Sequence, residues 1–321
     1  MFSNKLVSTR RLFSNKVFTS NLNDYTPNTV STIPKLQHKD NSTGAVNMAN
    51  HARAEWSEEE IKEAVTGAQM YAWAPTNGAK ERSVNVKRSE GIYVYDHNDK
   101  RYVDWCSGAM CSNLGHTMPE SVKAAMTNQI NTVPFVYGDT MSSDVRARLC
   151  QILREISPGD INGFFFASGG SEANEAAFNM ARKFTGRPKI MSRYRSYHGA
   201  TPGALAATGD PRTWSVDHTQ TGFVKMMDPF PFNWSWDDNC EEKAAARCLG
   251  ALHDQILFEG PHKIAGIILE PITGANGWLK MNTSFMQGVR ALCDQYGIML
   301  ISDEVMQGFG RSGKMFGFQH Y

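Results

Sequence analysis

From residue 143 onward, short apolar runs alternate with amphipathic stretches of helical length, and this rhythm restricts the fold more than any single residue does. The pattern predicts helices over Ser143 to Ile156, Glu172 to Phe184, Glu241 to Glu259 and Ser284 to Tyr296. Between and beside them it predicts strands at Gly163 to Ala167, Lys189 to Arg193, Phe223 to Met227, Ile264 to Glu270 and Ile298 to Asp303. Apolar strands separated by helices imply an α/β fold with a mostly parallel sheet and helices on both faces. Such a sheet takes its ligands outside the carboxyl ends of its strands, so the chemistry belongs there. Upstream, Ser57 followed by Glu58, Glu59 and Glu60 is a capping box that opens the folded part. Gly91 to Trp105 alternates around a turn at Asp96 to Lys100 and predicts a hairpin. Gly115, His116 and Pro119 then lead into a helix that runs to about Asn131.

Composition narrows the class of function. At 321 residues and 41% hydrophobic content the chain has room for one large domain and an appendage. Its 33 basic and 32 acidic residues leave a net charge of +1, which calls for neither nucleic acid nor an anionic membrane and suits a small-molecule enzyme. Six scattered cysteines form no CxxC pair, so no zinc site or disulfide framework is expected. No apolar run approaches the roughly 20 residues that span a bilayer. Met1 to Asn23 carries Lys5, Arg10, Arg11 and Lys16 with no acid before Asp24, a composition that suits a mitochondrial presequence; the alternative is a basic tail on a cytoplasmic protein. Leu22 to Asn50, rich in Asn, Thr, Ser and Pro, reads as a linker.

Four places carry candidate chemistry. Ser168-Gly169-Gly170-Ser171-Glu172-Ala173-Asn174-Glu175 joins a predicted strand to a helix; its glycines admit a phosphate, and the helix N-terminus with the Ser171 hydroxyl can hold one. Tyr197-His198-Gly199 follows the next strand and offers an aromatic face, for stacking or for packing. Glu270-Pro271 puts an acid where an apolar strand stops, as a functional group or as a residue leaving the core. Asp303-Glu304-Val305, followed by Gly308-Phe309-Gly310-Arg311-Ser312-Gly313, ends the last strand with a carboxylate that wants a cation: a ring nitrogen or a neighbouring arginine. All four fall at carboxyl ends of strands of one sheet.

These motifs, with Leu114-Gly115-His116 upstream, resemble the class III (ω-amino acid) aminotransferases in matching order from about residue 70 to the last residue. The resemblance implies the fold type I architecture of pyridoxal 5'-phosphate (PLP) enzymes. It divides the chain into a leader and linker (1–50), an N-terminal part of a small domain (51–115) and a large cofactor-binding domain (116–321). It implies that Gly170 and Ser171 hold the cofactor phosphate, that Tyr197 stacks on its ring with His198 beside it, that Asp303 pairs with the pyridinium, and that Val305 packs on the opposite face. Glu270 matches the family's acid near the active site. Met110 and Trp73 match the substrate pocket, with Tyr71 and Phe135 as further apolar neighbours. The activity implied is ping-pong transfer of an amino group from an amino acid or ω-amine to an α-keto acid, in a homodimer; the location expected from the leader's composition is the mitochondrial matrix.

Two departures refine the resemblance. Met306 stands where many relatives have glutamine, and Gln307 follows, as in the subgroup similar to ω-amino acid or taurine transaminases that use pyruvate. In the family the Schiff-base lysine follows the Asp-Glu-Val triplet by about thirty residues, because PLP enzymes require a lysine amine on the aldehyde carbon. The sequence runs only to Tyr321, and Lys314, the one lysine after Asp303, sits in a loop where relatives carry no catalytic group. The expectation is therefore a fold incomplete at its C-terminus. Two other readings follow from the same residues: an inactive fragment or pseudoenzyme, and another class III reaction such as an aminomutase or decarboxylase.

Overall fold

The computed structural model describes residues 55–71, 83–138, 140–215, 221–230 and 240–321. Helix α1 (Glu58–Ala68) starts at Ser57, whose hydroxyl accepts from the Glu60 N–H while the Glu60 carboxylate accepts from the Ser57 N–H, the expected capping box. Three antiparallel strands follow, β1 (Val86–Glu90), β2 (Tyr93–Asp96) and β3 (Arg101–Val103), with β2 in the centre. The predicted hairpin is β2–β3; β1 was not expected. Helices α2 (Glu120–Thr132) and α3 (Asp144–Ile156) come next, and neither buries a residue.

The remainder is the parallel sheet. Helix α4 (Gly170–Thr185) leads to β4 (Lys189–Arg193), the short helix α5 (Pro202–Ala207), β5 (Phe223–Met226), helix α6 (Glu241–Glu259), β6 (Ile264–Leu269), helix α7 (Thr283–Tyr296) and β7 (Met299–Ser302). The four strands lie in the order β5-β4-β6-β7, each pair parallel. Successive side chains of a strand point to opposite faces; Ile267, Ile268 and Leu269 alternate so, while a register irregularity at the start of β6, which skips Ala265, puts that residue on the face of Ile268. Met191, Ile267 and Leu269 pack with Leu252 and Ile256 of α6 and Phe285 and Val289 of α7. Ile190, Ala265 and Ile268 pack on the other face with Phe178 and Ala181 of α4 and Ala207 of α5. Each such large aliphatic or aromatic side chain stabilises by about 1.5–3 kcal/mol through the area it removes from water. The sheet is thus held between two helical layers, as α/β patterning predicts.

One predicted strand is corrected. Residues 163–167 join no ladder among the described residues, and Phe165 and Phe166 remain exposed. Apolar β-formers make a strand only where a neighbour supplies hydrogen bonds, and none of the four parallel strands pairs with this run. The leader, the linker and Trp73 lie outside the described residues.

Candidate active site

Parallel register brings three strand ends to one edge of the sheet. The Asp303 N–H donates to the Leu269 carbonyl at 2.8 Å, carrying the β6–β7 ladder one residue beyond β7 and placing the carboxylate at its mouth. Asp303 is 6% exposed. Its Oδ2 accepts from Asn174 Nδ2 at 2.9 Å and pairs with His198 Nδ1 at 2.8 Å, and its Oδ1 accepts from the Val305 N–H at 3.2 Å. Burial alone would raise this carboxyl; the bonds and charge from His198, with those from Asn174 and Val305, outweigh it and hold the group below the ordinary aspartate range. Asp303 is therefore an anion with two buried partners on Oδ2 and, among the described residues, only the Val305 N–H on Oδ1. The His198 ring reaches Asp303 through Nδ1, and its buried Nε2 has no protein partner among the described residues.

Helix α4 begins at Gly170, and Gly169 at its N-cap has no side chain to close the turn. Its first N–H groups and the positive end of its dipole therefore face outward, the arrangement that binds anions. Ser171 Oγ accepts from the Ala200 N–H at 3.1 Å, which directs the hydroxyl hydrogen to another acceptor. Gly199, at φ +135°, makes that contact possible, since a Cβ there would lie 2.2 Å from Ser171 Oγ. A Cβ on Gly170 would lie 3.0 Å from Val305 Cγ2, so the helix start and the Val305 side chain are close neighbours.

Tyr197 is set by its backbone and by its ring. Its N–H donates to Glu270 Oε1 at 2.9 Å, and the Arg212 guanidinium lies 4.0 Å from its ring centroid. Arg212 is itself held by Asp210, through Nε at 2.9 Å and through Nη2. One face of Tyr197 is thus taken by a cation, and the residue lines the cavity described next. Glu270 is buried, and Oε2 accepts from the Gly274 N–H at 2.7 Å. Burial raises its carboxyl above the ordinary range, against the opposing influence of His198, two backbone N–H groups and Arg193.

A cavity of about 350 Å³ gathers these groups. Gly170, Ser171, Tyr197, His198, Asp303 and Val305 line it, and so do Glu270 and Met110. The residues that the sequence nominated for the cofactor, with Glu270 and Met110, therefore line a single space. Tyr71 and Phe135 are not among its walls, and Lys314 donates to the Gln319 carbonyl at 2.6 Å, away from it. Met306 lines the cavity whereas Gln307 is buried behind it, bonded to the Ile272 carbonyl. Met110 arrives on a turn in which Ser107, Gly108, Ala109 and Met110 all have positive φ, from 48° to 67°. Such backbone costs about 1–2 kcal/mol per non-glycine residue. Asp104 braces this turn, accepting from the Gly108 N–H at 2.7 Å and pairing with His116 at 2.7 Å.

Sequence reasoning missed Asn174 and Arg212. Asn174 lies three and four positions after Ser171 and Gly170, on the same helical face, and that spacing was a usable signal. Arg212 reaches the cavity from a 3-10 turn after α5, Pro211–Ser215, which no pattern announces. In sum, a helix N-terminus and hydroxyl, an aromatic residue at the cavity wall and a desolvated carboxylate fit a flat, phosphorylated base whose ring nitrogen is protonated.

The comparisons with known proteins agree with this geometry. Residues 75–321 match the family profile described as Aminotransferase class-III, and the chain belongs to that family. An uncharacterised aminotransferase of Bacillus subtilis (strain 168) is 36% identical over 79% of this chain and 56% of its own length. The gamma-aminobutyrate transaminase 1, mitochondrial, of Oryza sativa subsp. japonica is 34% identical over 74% of this chain and 47% of its own. Among solved structures, the taurine:2-oxoglutarate aminotransferase of Bifidobacterium kashiwanohense, in complex with PLP and glutamate, superposes with a TM-score of 0.77 at 40% identity, covering 84% of this chain and 60% of that one. An (S)-enantioselective ω-transaminase of Thermomicrobium roseum gives 0.79 at 33% identity, covering 83% and 61%. The chain spans about half the length of the curated relatives named here.

The Asn174 bond yields a prediction with a definite sign. A carboxyl held low contributes stability above its unfolded pKa and loses it as pH falls through the folded value. Asn174→Ala removes one of the lowering bonds, so acid unfolding should begin at higher pH than in the parent, with a loss of about 1–3 kcal/mol at neutral pH. Acid titration followed by circular dichroism measures both, and coincident acid limbs would contradict the role given to Asn174.

Proposed function

We propose that this chain binds pyridoxal 5'-phosphate in the 350 Å³ cavity and serves transamination from an amino acid or ω-amine to an α-keto acid, with pyruvate as acceptor. The supporting observation is that Ser171, at the start of α4, and Asp303, just past the end of β7, far apart in sequence, line one cavity together with Tyr197. When bound, the cofactor supplies an aldehyde carbon for amino-group exchange and a ring that accepts electrons. The Gly170 and Ser171 N–H groups and the Ser171 hydroxyl bind the phosphate and set its register. Asp303 keeps a proton on the ring nitrogen; His198 and Asn174 keep Asp303 ionised. Tyr197 and Val305 orient the ring. Met110, Ala275 and Met306 add apolar wall that displaces water. The pyruvate assignment rests on Met306 preceding Gln307; the taurine enzyme above is named for 2-oxoglutarate, and initial rates with the two keto acids decide between them.

A direct test uses 4-deoxypyridoxine 5'-phosphate, which carries the phosphate and ring but no aldehyde. Isothermal titration should show one site per chain. Ser171→Ala and Asp303→Ala should each weaken it about tenfold or more, as expected for a lost hydrogen bond to a charged group. Affinities within twofold of the parent for both variants would refute the site.

We also propose a homodimer and a mitochondrial location. Helices α2 and α3 bury nothing in the single chain, and Met126, Ile130, Leu149 and Ile152 are exposed along them, an apolar area of the kind that marks an interface. Light scattering should give twice the chain mass, and a monomer at micromolar concentration would remove the dimer. Residues 1–50 fused to a fluorescent protein should enter mitochondria; retention in the cytosol would remove the presequence.

A further inference from the structure

Lys225 belongs to neither the core nor the cavity, yet its position behind the Tyr197–Gly199 loop is unusually well determined. It lies on β5, an edge strand of the parallel sheet, in register with the fully buried Ser192 of β4. Its Nζ sits 2.9 Å from Ser192 Oγ, 2.8 Å from the Ala206 carbonyl, 2.5 Å from the Ala207 carbonyl and 2.8 Å from the Thr208 carbonyl. These carbonyls end helix α5, where the intrahelical ladder leaves acceptors without donors and the helix dipole is negative. Three carbonyls and the Ser192 hydroxyl surround Nζ, and an ammonium brings three N–H donors to them where a neutral amine brings two. Burial works against that charge and pulls the group down to about 7, with the Asp210 carboxylate opposing. The carbonyl cage therefore matters all the more to the charged form.

The end of α5 is also where the loop is fastened. Thr208 is buried, and its Oγ1 accepts from the His198 N–H at 2.9 Å while lying 2.9 Å from the Ala204 carbonyl, to which its hydroxyl donates. The Gly209 N–H donates to the Ser196 carbonyl at 2.9 Å, and the Arg195 N–H donates to the Gly209 carbonyl at 2.8 Å. The next residue, Asp210, grips Arg212, which lies on Tyr197. The stretch 206–212 is thus a shelf beneath the two aromatic residues of the candidate site, and Lys225 ties that shelf to the sheet. Its own carbonyl accepts from Gln255 Nε2 at 2.8 Å, so the anchor is fixed to helix α6 in turn.

We propose that Lys225 is a positioning residue for the cofactor site: by holding the last carbonyls of α5 it fixes Thr208, and through Thr208 the His198 backbone and the ring that orients Asp303. This inference rests on the cofactor reading above. It separates Lys225 from an ordinary helix cap, because a cap would stabilise the fold without changing how the folded protein grips the ring.

The test again uses 4-deoxypyridoxine 5'-phosphate, titrated into the wild-type chain, Lys225→Met, Thr208→Val and the double variant, each checked for a cooperative melt. Lys225→Met should bind about tenfold more weakly, as should Thr208→Val, since each removes hydrogen bonds that preorganise the site. The double variant should bind no more weakly than the poorer single one, because both act through one linkage. In the His198 proton spectrum, the Nδ1–H resonance should move in Lys225→Met. Unchanged affinity in a folded Lys225→Met, or losses that multiply in the double variant, would overturn the inference. If Lys225→Met does not fold, Lys225→Gln, able to serve two carbonyls, is judged by the same criterion. A wild-type chain that fails to bind the probe removes the cofactor reading and this inference together, whereas normal wild-type binding with an unaffected variant removes the inference alone.

Discussion

A carboxylate kept ionised at the buried end of a strand is the constraint from which the rest of this site follows. Desolvation should neutralise Asp303, and only the donors arranged around it prevent that. Supplying them takes three separate pieces of chain: Asn174 from the first turns of α4, His198 from the loop after β4, and the Val305 N–H from the turn after β7. Each piece then has a second use. The helix that brings Asn174 also brings its N-terminus and Ser171; the loop that brings His198 also brings Tyr197; the turn that donates to Asp303 also presents Val305 to the cavity. Holding one charge in place thus assembles the remaining walls.

The motif Ser171-Glu172-Ala173-Asn174-Glu175 shows how densely such duties can be packed. Ser171 meets the Ala200 N–H, Asn174 meets Asp303, and Glu175 Oε1 accepts from the Thr201 hydroxyl and from the Gly203 and Ala204 N–H groups at the start of α5. One helical turn therefore contributes to the anion site, to the carboxylate and to the support beneath the aromatic loop. The left-handed turn at Ser107–Met110 is the opposite case, a segment that carries backbone strain and relies on Asp104 and His116 to keep Met110 at the cavity.

Legibility from sequence followed burial. Strand β4 and helix α6 fall at the bounds their apolar periodicity predicts, Lys189–Arg193 and Glu241–Glu259, because both pack into the core and their patterns record it. Strand β1, exposed at every residue, and α5, only six residues long, offer no period to read. Residues 163–167 have strand chemistry but no pairing among the described residues, and pairing is a property of neighbours that local composition does not contain. In the site, the residues with their own motif could be named from the sequence: Gly170, Ser171, Tyr197, His198, Glu270, Asp303 and Val305 line one cavity. Arg212 was hidden because its partner, the Tyr197 ring, is set by tertiary contact; Asn174 carried a helical spacing signal, but its bond to Asp303 is likewise a tertiary contact.

The account turns on the charge that Asp303 imposes on a bound ring. Nuclear magnetic resonance of pyridoxal 5'-phosphate labelled with nitrogen-15 in the ring, bound to this chain, reads that charge directly. The account predicts the shift of a protonated ring nitrogen, persisting as pH rises past the point where the free cofactor gives up its proton. A bound cofactor showing the shift of a bare nitrogen at neutral pH would contradict it.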